Sequence, residues 1–177
     1  MPLDSNERFE DGQVVAEGVS LCNPKVCEII LCNYSKLKQE GFGNFMSDTW
    51  YLMEDFDRIA TAALKDYPYY ERLVELKVDG LQNAEIQQIL QKEFGIKNSL
   101  EYISSLWRNK IPKLIASAAE DEWLYWHFFQ EEKGTYKKCS KCGQIKLALP
   151  KYFTVNNTSK DKLYSICKEC RNKKKKG

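Results

Sequence analysis

Two cysteine pairs near one end constrain this chain more than any other feature. Cys139-Ser140-Lys141-Cys142-Gly143 is followed, about two dozen residues later, by Cys167-Lys168-Glu169-Cys170. Two CxxC pairs so separated supply four thiolates, the ligand set of a closed tetrahedral zinc site. The two intervening residues of each pair let the chain turn back and grip one edge of a metal. Gly143 suits the tight knuckle, where backbone amides point at sulfur and positive φ is useful. Two disulfides or four unrelated buried thiols are the competing readings. Disulfides are disfavoured: no secretory context is present, and two bonded CxxC pairs would hold little together. The expectation is one structural Zn2+ on Cys139, Cys142, Cys167 and Cys170.

Charge divides the chain at the same place. The 177 residues carry a net +2. Residues 133–177 hold 14 Lys and Arg against 2 Asp and Glu, a net +12. Residues 1–132 hold 13 against 23, a net −10. A strongly basic module attached to an acidic body favours a polyanion partner, most often nucleic acid. The bland alternative for Lys173 to Lys176 is a solubilising tail. No apolar run is long enough to span a bilayer. Met1-Pro2-Leu3-Asp4-Ser5-Asn6-Glu7 is too acidic and polar for a signal peptide. The expected location is the cytoplasm, nucleoid-associated, or the host cytoplasm for a phage-encoded chain.

Periodicity predicts a mainly α fold. Residues 1–20 read as a loose N-terminal arm. Asn23-Pro24 opens a helix to about Gln39, closing before Gly41 and Gly43. Cys22, Cys27 and Cys32 lie here; their spacing of five lacks a CxxC pair, so they read as buried small hydrophobes. Ser47-Asp48 caps a helix from Thr49 to Lys65, broken at Asp66-Tyr67-Pro68. A helix from Tyr70 stops at Asp79-Gly80. Asn83 caps the next, Ala84 to Phe94, ended by Gly95. Asn98-Ser99-Leu100-Glu101 is a capping-box arrangement opening a third helix. Leu100, Ile103, Leu106, Trp107, Ile111, Leu114 and Ile115 run along it, opposite Tyr102, Ser105, Arg108, Asn109 and Lys113. Pro112 should kink it. Residues 116–132 continue as helix, with Trp123, Tyr125, Trp126, Phe128 and Phe129 on several faces.

Three helices with short joints and a polar, partly basic last face suggest a helix-turn-helix at about 70–119. The run Leu73-Val74-Glu75-Leu76-Lys77-Val78-Asp79-Gly80-Leu81-Gln82-Asn83-Ala84-Glu85-Ile86 resembles the opening of the DNA-binding helix-turn-helix in region four of bacterial sigma factors. The resemblance covers Leu73 to Ala116 and implies a DNA-reading third helix. This chain departs from the family in a longer turn from Phe94 to Ser99, in Pro112, and in the acid Glu101.

Gly134 marks a linker to the basic module. Ile145, Leu147 and Leu149 alternate as a strand. Tyr152, Phe153, Leu163, Tyr164 and Ile166 are expected to cluster under the metal, with a turn at Asn156 to Asp161. Knuckle, hairpin and a short helix bearing the second pair would make a treble clef; a zinc ribbon is the other option. Residues 136–172 resemble the zinc module of many phage and mobile-element proteins, often joined to HNH or resolvase-type nucleases. HNH catalysis needs histidines, and none follows Cys170. His127, the only histidine, reads as a packed or solvated ring. No GxxxxGK[ST] loop is present. The expectation is a non-enzyme.

The combined expectation is a helical bundle with a helix-turn-helix over residues 21–132, and a four-cysteine zinc module over 133–177. Its function would be transcription control by a phage or mobile-element protein on double-stranded DNA. Tyr102, Ser105, Arg108 and Asn109 are candidate base readers. Lys110, Lys113, Lys137, Lys138, Lys141, Arg171, Lys173 and Lys174 are candidate phosphate contacts. The rival readings are a DNA-packaging adaptor like a small terminase subunit, an interaction module binding RNA polymerase, and a nuclease accessory or RNA binder. Trp123 to Phe129 is the candidate protein-binding stretch. Oligomeric state is left open.

Overall fold

The computed structural model describes residues 7–10, 13–16, 18–44, 46–130 and 136–173. Gly134, Lys174 and the rest of the lysine tail fall outside that set, as do the side chains of Phe129 and Lys173. No described helix is long and apolar enough to cross a membrane. The chain divides into two compact units, and the division falls inside a helix. One holds Ala16–Asp121; the other holds Arg8–Val15 and the residues from Glu122 onward.

The first unit is helical. α1 (Pro24–Cys32) and α2 (Tyr34–Gly43) replace the single helix expected there. The break is Asn33, whose side-chain Nδ2 donates to the Ile29 carbonyl at 2.8 Å. Asn33 N donates to the same carbonyl at 3.1 Å, and Asn33 leaves helical dihedrals at φ −118°, ψ 17°. The helix also runs through Gly41 rather than stopping before it. A Cβ at Gly41 would lie 3.3 Å from Trp50 Cα, so glycine here permits close approach of α2 to α3 (Asp48–Leu64). Ser47 caps α3 by accepting from Trp50 N at 3.2 Å, as expected.

α4 (Pro68–Val78), α5 (Asn83–Phe94) and α6 (Leu100–Ser105) follow with short joints. Two caps sit one residue from their expected places. Gln82, not Asn83, caps α5 in a box with Glu85. Ser99, not Asn98, caps α6 and accepts from Tyr102 N at 3.1 Å. Asn98 is engaged elsewhere: its Nδ2 donates to Tyr69 Oη at 2.7 Å. Gly95 ends α5 with φ 70°, which a Cβ would disfavour.

The disturbance expected at Pro112 takes the form of a π-helical turn, Leu106–Lys110, closed by Ile111 N donating to Leu106 O. Proline offers no N–H to the turn before it, and a widened turn accommodates the unpaired carbonyl and the ring. α7 (Ile111–Gln130) then continues. The core of this unit draws on every helix, α2 only through the partly buried Tyr34 and Leu37. It includes Cys27, Leu31, Met53, Phe56, Leu73, Ile86, Leu90, Ile103, Trp107, Ile111 and Ile115. Ile103, Leu106, Trp107, Ile111 and Ile115 face inward, so most of the stripe expected from periodicity is buried, but Leu100 at its start is exposed. Cys27 is fully buried and burial pushes its thiol up to about 12, which suits a small hydrophobe. Cys22 is half-buried, and Cys32 is exposed, unlike the burial expected of it.

The arm was expected to be loose, yet it contains β1 (Glu7–Glu10) and β2 (Gln13–Ala16), paired with each other. In the second unit β3 (Tyr136–Lys138) pairs antiparallel with β4 (Ile145–Leu147). β5 (Phe153–Val155) pairs antiparallel with β6 (Leu163–Cys167) through an irregular register. A short α8 (Lys168–Lys173) follows. Tyr125 of α7 meets Tyr152 at 5.9 Å between ring centroids. Trp123 and Leu124 are buried and Trp126 is exposed. His127 stacks on Trp123 at 4.7 Å, a packed ring.

Candidate metal centre and nucleic-acid interface

The cysteines come together by local rules. The knuckle closes when Gly143 N donates to Cys139 O at 2.9 Å and Cys139 N donates to Gln144 O at 2.8 Å. Gly143 adopts φ 73°, the left-handed value its position requires. β6 delivers Cys167 at its last residue, and the first turn of α8 delivers Cys170. Ser140 N donates to Ser165 O at 2.9 Å, tying the knuckle to that strand. The four Sγ atoms all lie within 4.8 Å of one another. Four sulfurs about 2.3 Å from a zinc ion would stand about 3.8 Å apart, so the cluster is close to the size such an ion needs. Cys139, Cys167 and Cys170 are buried and Cys142 is exposed.

Backbone amides aim at one sulfur in particular. Lys141 N donates to Cys139 Sγ at 3.4 Å and Cys167 N at 3.3 Å. Amide donation, from Cys142 most of all and then Cys167, brings the Cys139 thiol down to about 6. Burial and thiol neighbours push Cys170 up to about 12. Thiols crowded this closely resist ionising together. A divalent ion removes that conflict, because it lets all four ionise. An all-sulfur donor set selects zinc or iron–sulfur chemistry over hard cations such as Mg2+ and Ca2+.

Little else holds this region together. Beside the cysteines, the buried side chains between Tyr136 and Lys173 are Leu147, Phe153 and Leu163. Domains of about 40 residues seldom fold on so little apolar surface without a metal or disulfides. Tyr164 does not join the cluster as expected; it is exposed, with Arg171 lying over its ring at 4.6 Å.

The module's cations split into two groups. Lys137 is half-buried, pairs with Asp161, donates to Leu163 O at 3.0 Å and lies over the Phe153 ring. Lys146, also half-buried, pairs with Glu169 at 2.5 Å. Burial works against the Lys146 ammonium, yet the Glu169 hydrogen bond outweighs it and raises the pKa. Both acids of the module are therefore occupied by inward lysines. Lys138, Lys141, Lys160, Lys162, Lys168 and Arg171 are exposed. Lys137, a candidate phosphate contact from sequence, spends its charge inside the fold. A signal for these pairs was in the composition: two acids among fourteen cations will each attract one.

In the helical unit, Tyr102, Ser105, Arg108, Asn109, Lys110 and Lys113 are all exposed. They run along one continuous helical path from α6 through the π turn into α7. Leu100, Glu101, Ser104, Ser105, Arg108 and Asn109 line a shallow surface depression there. Glu101 is held below the usual carboxylate range by its own backbone N–H and then by Ser99, so it is a helix-capping anion. Sequence reasoning missed Lys77, whose amine stands near Arg108.

Compared with known proteins, the chain matches no family model, no curated protein and no solved structure.

Proposed function

We propose that this chain is a double-stranded-DNA-binding protein of the transcription-regulator kind. In this reading α4, α5 and the helix beginning at Leu100 form a helix-turn-helix like that of sigma region four. The C-terminal module is a treble-clef-like structural zinc module that holds phosphates. The observation that carries the reading is the exposed face of Tyr102, Ser105, Arg108 and Asn109, continued by Lys110 and Lys113. Those side chains have the chemistry of base readers and phosphate contacts: Arg offers a fork to guanine, Asn a donor–acceptor pair to adenine, lysines a charge to phosphate. Ile103, Leu106 and Trp107 hold the opposite side in the core, so this face is turned to solvent, with Tyr102 also hydrogen-bonded with Tyr70. The exposed cations of the module add sequence-independent attraction. Affiliation with a phage or mobile element rests on the sequence resemblance of residues 136–172. The non-enzymatic reading rests on the sequence, in which no histidine follows Cys170.

Selection of bound duplexes from a random pool tests the proposal, followed by Arg108→Ala. That change should leave thermal stability within about ±0.5 kcal/mol, as for other surface positions. It should cost about 1–3 kcal/mol on the selected duplex and little on random DNA. Failure to enrich any duplex, or equal loss on both DNAs, removes Arg108 as a base reader.

A further inference from the structure

A cleft in the helical unit carries positive charge with little in the fold to balance it. It is lined by Ser35 and Lys36 of α2, Lys77 and Val78 of α4, and Trp107 of the π turn, with no carboxylate among its lining residues. Lys77 is half-buried there. Among the described residues no carboxylate lies within salt-bridge reach of Lys77 or Arg108. Lys36 has only Glu40, at 3.9 Å and largely in solvent.

Several acids elsewhere in this unit hold cations. Asp57 takes Lys38 at 2.6 Å, and Arg72 takes both Glu75 and Glu93. An acidic unit that leaves one half-buried lysine unpaired, next to an arginine, works against its own stability. Burial first, with a smaller push from the Arg108 guanidinium, holds the Lys77 amine below the ordinary lysine range, against an opposing pull from Cys32, which also lines the cleft. An apolar side chain of the same length would satisfy the fold better. Such local conflict between fold and charge is common where a ligand supplies the missing partner.

We propose that this cleft seats a backbone phosphate of duplex DNA, with Lys77 as its point-charge contact beside the base-reading Arg108. The inference rests on the DNA-binding reading above and adds a contact that the exposed helix face does not include. A lysine suits the role, since a phosphate held by one ammonium needs charge rather than a bidentate fork. The seat is sequence-independent, so it fixes where the helix lies on the duplex while the neighbouring side chain reads.

The test uses the full zinc-loaded chain, its Lys77→Met and Lys77→Arg variants, and Arg108→Ala as reference. Each is melted, then titrated with the selected duplex and with random duplex across a salt series. Lys77→Met should melt at or above the parent temperature, because it removes an unbalanced half-buried charge. It should lose the same several-fold factor in affinity on both duplexes, and its log K against log salt should flatten by about 0.9, one phosphate contact. Lys77→Arg should recover the slope. If Lys77→Met leaves affinity and slope unchanged while Arg108→Ala weakens the selected duplex, the phosphate seat is wrong and the DNA-binding reading stands. If Lys77→Met lowers the melting temperature and Lys77→Arg fails to recover binding, Lys77 is a packing residue and the seat is again overturned. If neither Lys77→Met nor Arg108→Ala changes binding to any duplex, the parent reading fails along with the seat.

Discussion

The two units of this chain reach order by different means. The helical unit buries a broad core from seven stretches of helix, with Leu73, Ile86, Leu90, Ile103, Ile111 and Ile115 fully enclosed. Its charges sit outside that core, and its cysteines serve as ordinary side chains. The cysteine module buries Leu147, Phe153 and Leu163 and then runs out of apolar material. What remains is four sulfurs, two inward lysine pairs and two short hairpins. The lesson is about where folding free energy comes from. One unit draws on area removed from water; in the other, four clustered sulfurs could hold a metal ion, and under the structural-zinc proposal ligation would supply what burial does not.

The largest test of that contrast is metal removal. Chelation, or Cys167→Ser, should unfold the module, because structural zinc contributes on the order of 10 kcal/mol to such folds. The helical signal of residues 24–121 should persist through the same treatment. Elemental analysis should find one zinc per native chain and none in the mutant. Loss of helix in step with metal would show that the units share one source of stability.

The matching test on the other side is Trp107→Ala. Trp107 is 9% exposed and packs in the core, so its truncation should cost about 3–5 kcal/mol. Thermal unfolding of the helical unit should move accordingly, with zinc content unchanged. A neutral result would mean the ring only covers the surface.

A smaller effect concerns pH. Lys137 holds the Asp161 carboxyl below its ordinary value of 3.8. A depressed acid contributes stability that is fully present above 3.8 and is lost as pH falls through the lower folded value. Lys137→Met should raise the Asp161 titration, followed by NMR, and should weaken that acid dependence, while the bonds from Leu163 N and Ser159 keep part of it. An unmoved Asp161 titration would show that Lys137 is not its main partner.

Several features were legible in the sequence because their causes are local. The CxxC pairs, the knuckle glycine Gly143, the Ser47 cap and the Gly95 stop each depend on a few neighbouring residues. The core stripe through Ile103, Trp107 and Ile111 followed from period alone. What escaped depends on competition or on distant partners. Asn33 leaves helical dihedrals where its side chain and its own N–H both bond the carbonyl four residues back, a local choice that periodicity does not register. Gly41 stayed helical because Trp50 packs against it. Asn98 lost the cap to Ser99 because Tyr69, far away in sequence, engages its amide. Lys137 and Lys146 turned inward toward acids 24 and 23 positions away. The paired strands β1 and β2 had a local signal after all, Asp11-Gly12 between two four-residue runs.

The smallest expected effect concerns the tail. Deleting Arg171 to Lys176 removes five basic charges. It should weaken binding to all duplexes alike and flatten the salt slope by up to about 0.9 per lost contact. An unchanged slope would make the tail a solubilising segment.

The most direct measurement of the division of labour is the ratio of affinities for selected and random duplex, taken with zinc-loaded and then with chelated protein. If base reading belongs to the helical unit, both affinities should fall on chelation and their ratio should hold. A ratio that collapses toward one, with the helices still folded, would place sequence reading in the zinc module and contradict the assignment to Arg108 and Asn109.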